Sequence, residues 1–277
     1  MNEKISALSK AKKRLQVFSI FFVVCGIVII FLLSSRPIGG LILTLALLAI
    51  YLLLFRRQVK DYRQAVKQAM LEEGLRPFIK NIAYERKDGI SADTFLQMRF
   101  LPNENPKSLI IRDTIHGTYQ AMPVFLTDIT TDITSAKSAP DYLSGCLLDI
   151  QLRSGNDDDY MLWPKKLLQD KDLKHYFSGM TEAPAPGLLA DTFLLYRRSG
   201  TELLAISPEA EKSILRLCEY TPGNVCIQVS AGHLRIFIGS RFLFTLHIPG
   251  QTEITAKILS SNPFQELPYL LRIYDAF

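Results

Sequence analysis

The reading turns on VFSIFFVVCGIVIIFLLS, residues 17–34, followed after a three-residue gap by IGGLILTLALLAIYLLLF, residues 38–55. Neither run contains a charged side chain, and Arg36 is the only charged residue between positions 15 and 55. Each run has 18 residues, so as a helix it reaches about 27 Å, close to a hydrocarbon core of roughly 30 Å. A Leu, Ile, Phe or Val at the centre of a span favours insertion by roughly 0.3–0.6 kcal/mol, which outweighs Ser19 and Thr44. The pattern therefore predicts two transmembrane helices. Ser35, Arg36 and Pro37 leave room only for a tight turn, and Pro37 removes a backbone donor where the first helix must stop. Gly26, Gly39 and Gly40 would let the two backbones approach closely.

Working outward, Lys10, Lys12, Lys13 and Arg14 precede the first run, and Arg56, Arg57, Lys60 and Arg63 follow the second. Arg36 stands alone on the other side. The excess of Lys and Arg on cytosolic flanks then sets both termini on the cytosolic side. These eight residues would attract a bilayer with anionic headgroups by about 1 kcal/mol each. A cleaved signal peptide is the competing reading of residues 17–34, but Leu33-Ser34-Ser35 is a poor A-x-A cleavage site.

The charge is unevenly placed. The chain of 277 residues carries a net +5, with 13 basic and 4 acidic residues in 1–83 against 19 and 23 in 84–277. The second part is mildly acidic, which argues against nucleic acid as a partner, since phosphate neutralisation needs surplus Lys and Arg. The four cysteines form no C-x-x-C pair, so neither a disulfide framework nor a zinc ribbon is indicated.

Residues 58–83 repeat apolar residues at helical spacing, with Val59, Tyr62, Val66, Ala69 and Met70 on one stripe and Gly74 and Pro77 as breaks. This segment is expected to be an amphipathic connecting helix that continues the second span, its stripe packing on its own domain or serving as a coiled-coil seam. From residue 84 the chain changes to short apolar runs punctuated by Pro, Gly, Asn and Asp. Strands are expected over 108–113, 118–130, 145–153, 159–163, 192–197, 202–206, 224–230, 233–238 and 242–248, in a mainly antiparallel sheet. Ser-Ala-Gly-His at 230–233 is the clearest hairpin turn. A helix begins at Ser207 as N-cap with Pro208 at its first position and ends at Thr-Pro-Gly, 221–223. Another is expected over 165–177, and a last one from Pro268. The prolines and glycine of 180–188 mark either a linker between subdomains 84–179 and 189–277 or a loop inside one domain.

The fold class expected is thus α+β, an N-terminal transmembrane helical hairpin (1–57) followed by a mainly antiparallel-sheet cytosolic domain (84–277) with flanking helices. The order of pieces resembles an uncharacterised bacterial two-transmembrane-helix membrane-protein family, known only as a domain of unknown function. The residues that carry the resemblance are Leu75-Arg76-Pro77-Phe78, Phe193-Leu194-Leu195-Tyr196, Leu203-Leu204-Ala205-Ile206-Ser207-Pro208 and Gly232-His233-Leu234-Arg235-Ile236-Phe237-Ile238. The family's Phe-Glu-x-x-Phe approach to the strand at Phe193 is missing. The resemblance implies bacterial origin, an inner-membrane location and genes beside those of LemA-type proteins. It implies no activity.

A search for chemistry nominates no catalytic residue, no cofactor and no metal ligand. There is no G-x-S-x-G elbow, no P-loop and no dinucleotide fingerprint. His116, His175, His233 and His247 stand singly, and Cys218 and Cys226 flank a turn without further zinc ligands. A calcium loop starting at Asn156 would need an oxygen ligand at its fifth position and a Glu at its twelfth, where Tyr160 and Leu167 stand. Trp163 beside Pro164 reads as core packing at a strand end. The expected function is a membrane-tethered binding or scaffold module with a protein partner or lipid headgroups. The alternative is a hydrolase of lipid or envelope precursors built on a His and carboxylates. A pore is disfavoured, because neither run carries a polar lining.

Overall fold

The structure is a computed structural model that describes residues 2–33, 37–85, 90–98, 109–131, 144–153, 159–167, 179–198, 206–221, 224–239, 255–260 and 264–277. Side chains are not described for Asn2, residues 30–44, Leu47, Arg112 and Thr131. The chain divides into two compact units, Met1–Gly74 with Leu246–Asn262, and Leu75–Thr245 with Pro263–Phe277.

The first unit is built on two long helices, α1 (Asn2–Leu33) and α2 (Pro37–Leu75). They run side by side in opposite directions, since Lys4 meets Glu72 and Glu73 at 2.6 and 3.0 Å while Phe18 and Phe22 stack on Tyr51 at 5.6 and 3.5 Å. Burial of Lys4 works to lower its pKa, and the two carboxylates outweigh that and raise it. A small core closes the charged end of the pair, where Leu8, Val66, Ala69 and Met70 pack with Leu259. Leu259 belongs to the one-turn helix Ala256–Leu259, capped by the Thr255 hydroxyl. The amphipathic stripe of 58–83 is thus a packing stripe within its own unit.

The transmembrane hairpin expected over 17–34 and 38–55 has to be corrected: among the described residues, no helix is long and apolar enough to cross a membrane. The multi-pass inner-membrane location, and the description of the chain as a transmembrane protein, fall with it. Of the tight turn expected at Ser35, Arg36 and Pro37, the first two residues lie outside the described residues, and Pro37 opens α2.

The second unit is an antiparallel sheet of nine strands in the order β1-β2-β3-β4-β9-β8-β5-β7-β6 among the described residues. The strands are β1 (Lys80–Glu85), β2 (Leu109–Tyr119), β3 (Met122–Thr131), β4 (Gly145–Gln151), β5 (Tyr160–Pro164), β6 (Met180–Pro184), β7 (Phe193–Arg198), β8 (Val225–Ser230) and β9 (His233–Gly239). An α+β arrangement with an antiparallel sheet is therefore present. Several details differ from the sequence reading. α2 stops at Leu75 and the chain re-enters as edge strand β1, where residues 80–83 read as helix tail. Where strands were expected over 108–113 and 118–130, residues 109–131 fold as the β2–β3 hairpin turning at Gln120 and Ala121, both at positive φ, with an irregularity at Asp113 (φ 57). The Pro-rich stretch 180–188 supplies β6, hydrogen-bonded along β7. Residues 202–205, 242–248 and 168–178, read as strands and part of a helix, lie outside the described residues.

Strand alternation gives the sheet two faces. On one, Leu148, Ile150, Leu234, Ile236, Ile227 and Leu195 are buried. Two helices with buried stripes accompany this unit, α4 (Pro208–Tyr220) and α6 (Leu267–Asp275), with the short α3 (Ala92–Gln97), while the Ala256–Leu259 turn of the first unit is α5. The N-cap reading holds for α4, where the Ser207 hydroxyl accepts from the Ala210 N–H at 3.1 Å. α6 is tied to the β2–β3 turn through Asp275, which accepts from Tyr119 Oη (2.8 Å) and Gln120 Nε2 (2.7 Å). On the opposite face, Phe95 and Met98 pack over Leu147, Phe237, Cys226 and Trp163. Trp163 is thus core, as its setting in the sequence implies.

Candidate functional site

The most unusual surface is in the first unit. On α1, Val17, Ile20, Phe21, Val24, Ile27 and Val28 recur at steps of three and four, which places them on one helical face, and each is more than half exposed. Their neighbours Phe18 and Phe22 point the other way, onto Tyr51. On α2, Leu45, Ile50 and Leu53 are likewise more than half exposed, Leu53 reaching 70%. Contiguous exposed apolar surface of this kind marks an interaction site in a water-exposed protein.

The same stripe continues toward the N-terminus of α1 as Lys10, Lys13 and Arg14, so one face passes from cationic to apolar along its length. Because α2 runs antiparallel, Arg56, Arg57, Lys60 and Arg63 lie at the level of this cationic end. All are exposed, with Lys12 half-buried. The structure therefore gathers at one end of the helix pair the eight basic residues that the sequence singled out. Asp61 is the acidic residue among them. Two hollows open here. One, of about 460 Å³, is lined by Lys13, Arg14, Val17, Phe18, Phe21 and Gln58. The other, of about 260 Å³, lies over Ile5, Leu8, Lys12, Gln16 and Tyr62. Together they present long cationic side chains over aliphatic and aromatic walls, an arrangement that suits an acidic headgroup carrying a hydrocarbon body.

In the second unit, the half of the sheet face beyond Phe237 and Leu147 is polar. Asp149 on β4 is forked between two residues of β9, with His233 Nδ1 at 2.7 Å and Arg235 Nε at 3.1 Å. Arg235 also donates to Gln228 Oε1 of β8 at 3.4 Å. Asp149 and Arg235 are direct cross-strand partners, and their side chains are only 13% and 14% exposed. The cue in the sequence is a charged residue in the middle of each of two apolar strands, GCLLDIQ and HLRIFIG, which sequence reasoning passed over. His116 is held by Glu85 at 3.4 Å on an open surface. His175 and His247, and the acidic residues 156–158, lie outside the described residues. Among the described residues, no group of three or more His, Cys, Asp or Glu side chains is placed to hold a metal ion.

Fold and surface together define an α+β protein in which an antiparallel-sheet unit is joined to a pair of long helices with an exposed apolar and cationic face. No protein-family model and no curated protein matches the chain. Among solved structures, the mycobacterial trehalose monomycolate transport factor A, TtfA, is similar at a TM-score of 0.37 and 7% identity, over 76% of this chain and 93% of that one. A likeness at that level carries no weight for fold or function.

Proposed function

We propose that this protein is a binding module that docks on anionic lipid through the α1–α2 face. The observation that carries the reading is a single helical stripe, Lys10, Lys13, Arg14, Val17, Ile20 and Phe21, cationic at one end and exposed and apolar at the other. Apolar contact drives adsorption, and each Lys or Arg near an anionic surface adds about 1 kcal/mol. The full chain should sediment with vesicles of equimolar phosphatidylglycerol and phosphatidylcholine, and much less with phosphatidylcholine alone. Replacing Lys10, Lys13 and Arg14 by Gln should weaken that binding on the order of 10²-fold. Binding should also fall steeply as salt shortens the Debye length. Equal binding to both vesicle types, or indifference to these three substitutions, would refute the reading.

A second reading, hydrolysis of lipid or envelope precursors, is favoured by one observation. The Asp149 carboxylate orients the His233 ring through Nδ1, and the side chain is 37% exposed, the relation a general base needs. Turnover of an ester or phosphoester substrate that disappears in His233→Ala would support it. Unchanged turnover in that variant would end it.

A further inference from the structure

A hollow of about 550 Å³ opens in the second unit, where four segments of the chain converge. β5 ends at Pro164 and passes into a 3-10 turn, Lys165–Leu167. The Lys165 N–H donates to the Thr192 carbonyl at 3.0 Å, which ties that turn to the approach to β7. Cys218, in the last turn of α4, and Val225, the first residue of β8, complete the wall. Pro164, Phe193 and Val225 are buried beneath it. Lys165, Lys166 and Asp191 stand exposed at its mouth.

Three observations point to the class of ligand. The volume is in the range of small-molecule sites. Among the described residues, neither Lys165 nor Lys166 has a carboxylate partner. Lys166 lines the same hollow as Cys218; burial pushes the Cys218 thiol up to about 11, and Lys166 acts against that rise. Lys166 acts in the same sense on Cys226, which burial raises well above the usual thiol range. With Asp191 at the rim the mouth carries a net positive charge of one, suited to a single phosphate rather than a polyanion.

We propose that this hollow binds a small phosphomonoester, its apolar body against Pro164, Phe193 and Val225 and its phosphate held by Lys165 and Lys166. Ammonium groups bind phosphate as point charges, and Thr192 in the same lining offers a hydroxyl. The site is independent of lipid docking by the first unit, and its test is kept separate.

The experiment is calorimetric titration of the full chain with phenyl phosphate, with inorganic phosphate and phenol as controls. Alkylation of Cys218 by iodoacetamide is followed in parallel by mass spectrometry. Saturable binding of phenyl phosphate is expected, with phosphate weaker, phenol silent and Cys218 protected by bound ligand. Lys165→Gln with Lys166→Gln should weaken binding roughly tenfold or more without altering the thermal unfolding of a protein in which both residues are exposed. The double variant should still sediment with phosphatidylglycerol vesicles, and the Lys10, Lys13 and Arg14 variant should still bind phenyl phosphate. Absence of heat and of Cys218 protection would overturn the proposal, as would binding untouched by the double substitution. Loss of vesicle binding in the double variant, with phenyl phosphate inert, would assign the two lysines to a lipid headgroup and overturn it equally.

Discussion

Leu53 and Leu195 are the same residue in opposite circumstances. Leu53, on α2, is 70% exposed, and Leu195, on β7, is wholly buried. The contrast extends to their neighbourhoods. In the sheet unit, alternation delivers every second side chain to an inner face, so apolar residues are removed from water by partners in the same unit. In the helix unit, the apolar residues of α1 outnumber what Phe18, Phe22 and Tyr51 can cover, and a whole stripe is left facing out. The first pattern stabilises a fold, and the second leaves apolar surface exposed, as interaction sites do. An apolar sequence run is thus read correctly only when its partner is known.

The comparison breaks most visibly if core truncation in the sheet unit turns out to be cheap. Trp163→Ala removes a side chain that is 1% exposed from the cluster with Phe95 and Phe237. It should cost that unit about 3–5 kcal/mol in urea unfolding followed by far-UV circular dichroism. Next in size is Gly145→Ala at the start of β4. A Cβ there would meet the Ile238 carbonyl oxygen and lie 2.9 Å from Gly239 Cα. Both are backbone atoms of β9, so the ladder between β4 and β9 must open, at about 1–3 kcal/mol in the same assay.

A third test uses pH. Burial, then the Glu182 carboxylate, raises Tyr196 from 10.0 to about 12, and burial chiefly raises Cys218 from 9.0 to about 11. Both groups keep their protons longer in the folded state, so what they contribute is fully present below pH 9 and is lost as pH rises through 9 to 12. Stability of the sheet unit should fall across that window, and Tyr196→Phe should flatten the upper part of the fall. A profile that is level or rising there would contradict the assignment. The smallest effect belongs to the other side of the comparison. Leu53→Ala should change stability by no more than about 0.5 kcal/mol, since its side chain is already in water. A larger loss would mean that the helix face is covered within the chain after all.

What the sequence disclosed follows the same division. Elements with a local cause were legible. Ser207 followed by Pro208 specifies a helix start by itself, and Ala231 and Gly232, both at positive φ, close the β8–β9 hairpin at 230–233. Elements set by distant partners were not. β1 is an edge strand whose shape comes from pairing with β2, so KNIAYE passed for the end of a helix. The β2–β3 turn places Gln120 and Ala121 in the left-handed region without the Asn-Gly or Asp-Gly signal on which hairpin reading relies. β6 carries a proline at its end, tolerable on an edge strand and easily taken for a linker. At the candidate site, the basic residues were conspicuous by their spacing. The continuity of Lys10, Lys13 and Arg14 with Val17, Ile20 and Phe21 on one exposed face needed the antiparallel helix beside it. The fork of Asp149 between His233 and Arg235 depended on strand register, which spacing along the chain does not show.

The central claim is that the α1 stripe meets lipid, and a fluorophore placed on it reports this directly. Trp163 is the chain's one tryptophan and is buried, so its emission provides a constant background. Phe21→Trp puts a second indole where the side chain is 66% exposed. On adding phosphatidylglycerol vesicles, the emission of this variant should shift to the blue and be quenched by brominated acyl chains, while the unsubstituted protein stays unchanged. An emission maximum that remains at its water-exposed position, unquenched at saturating lipid, would contradict the account.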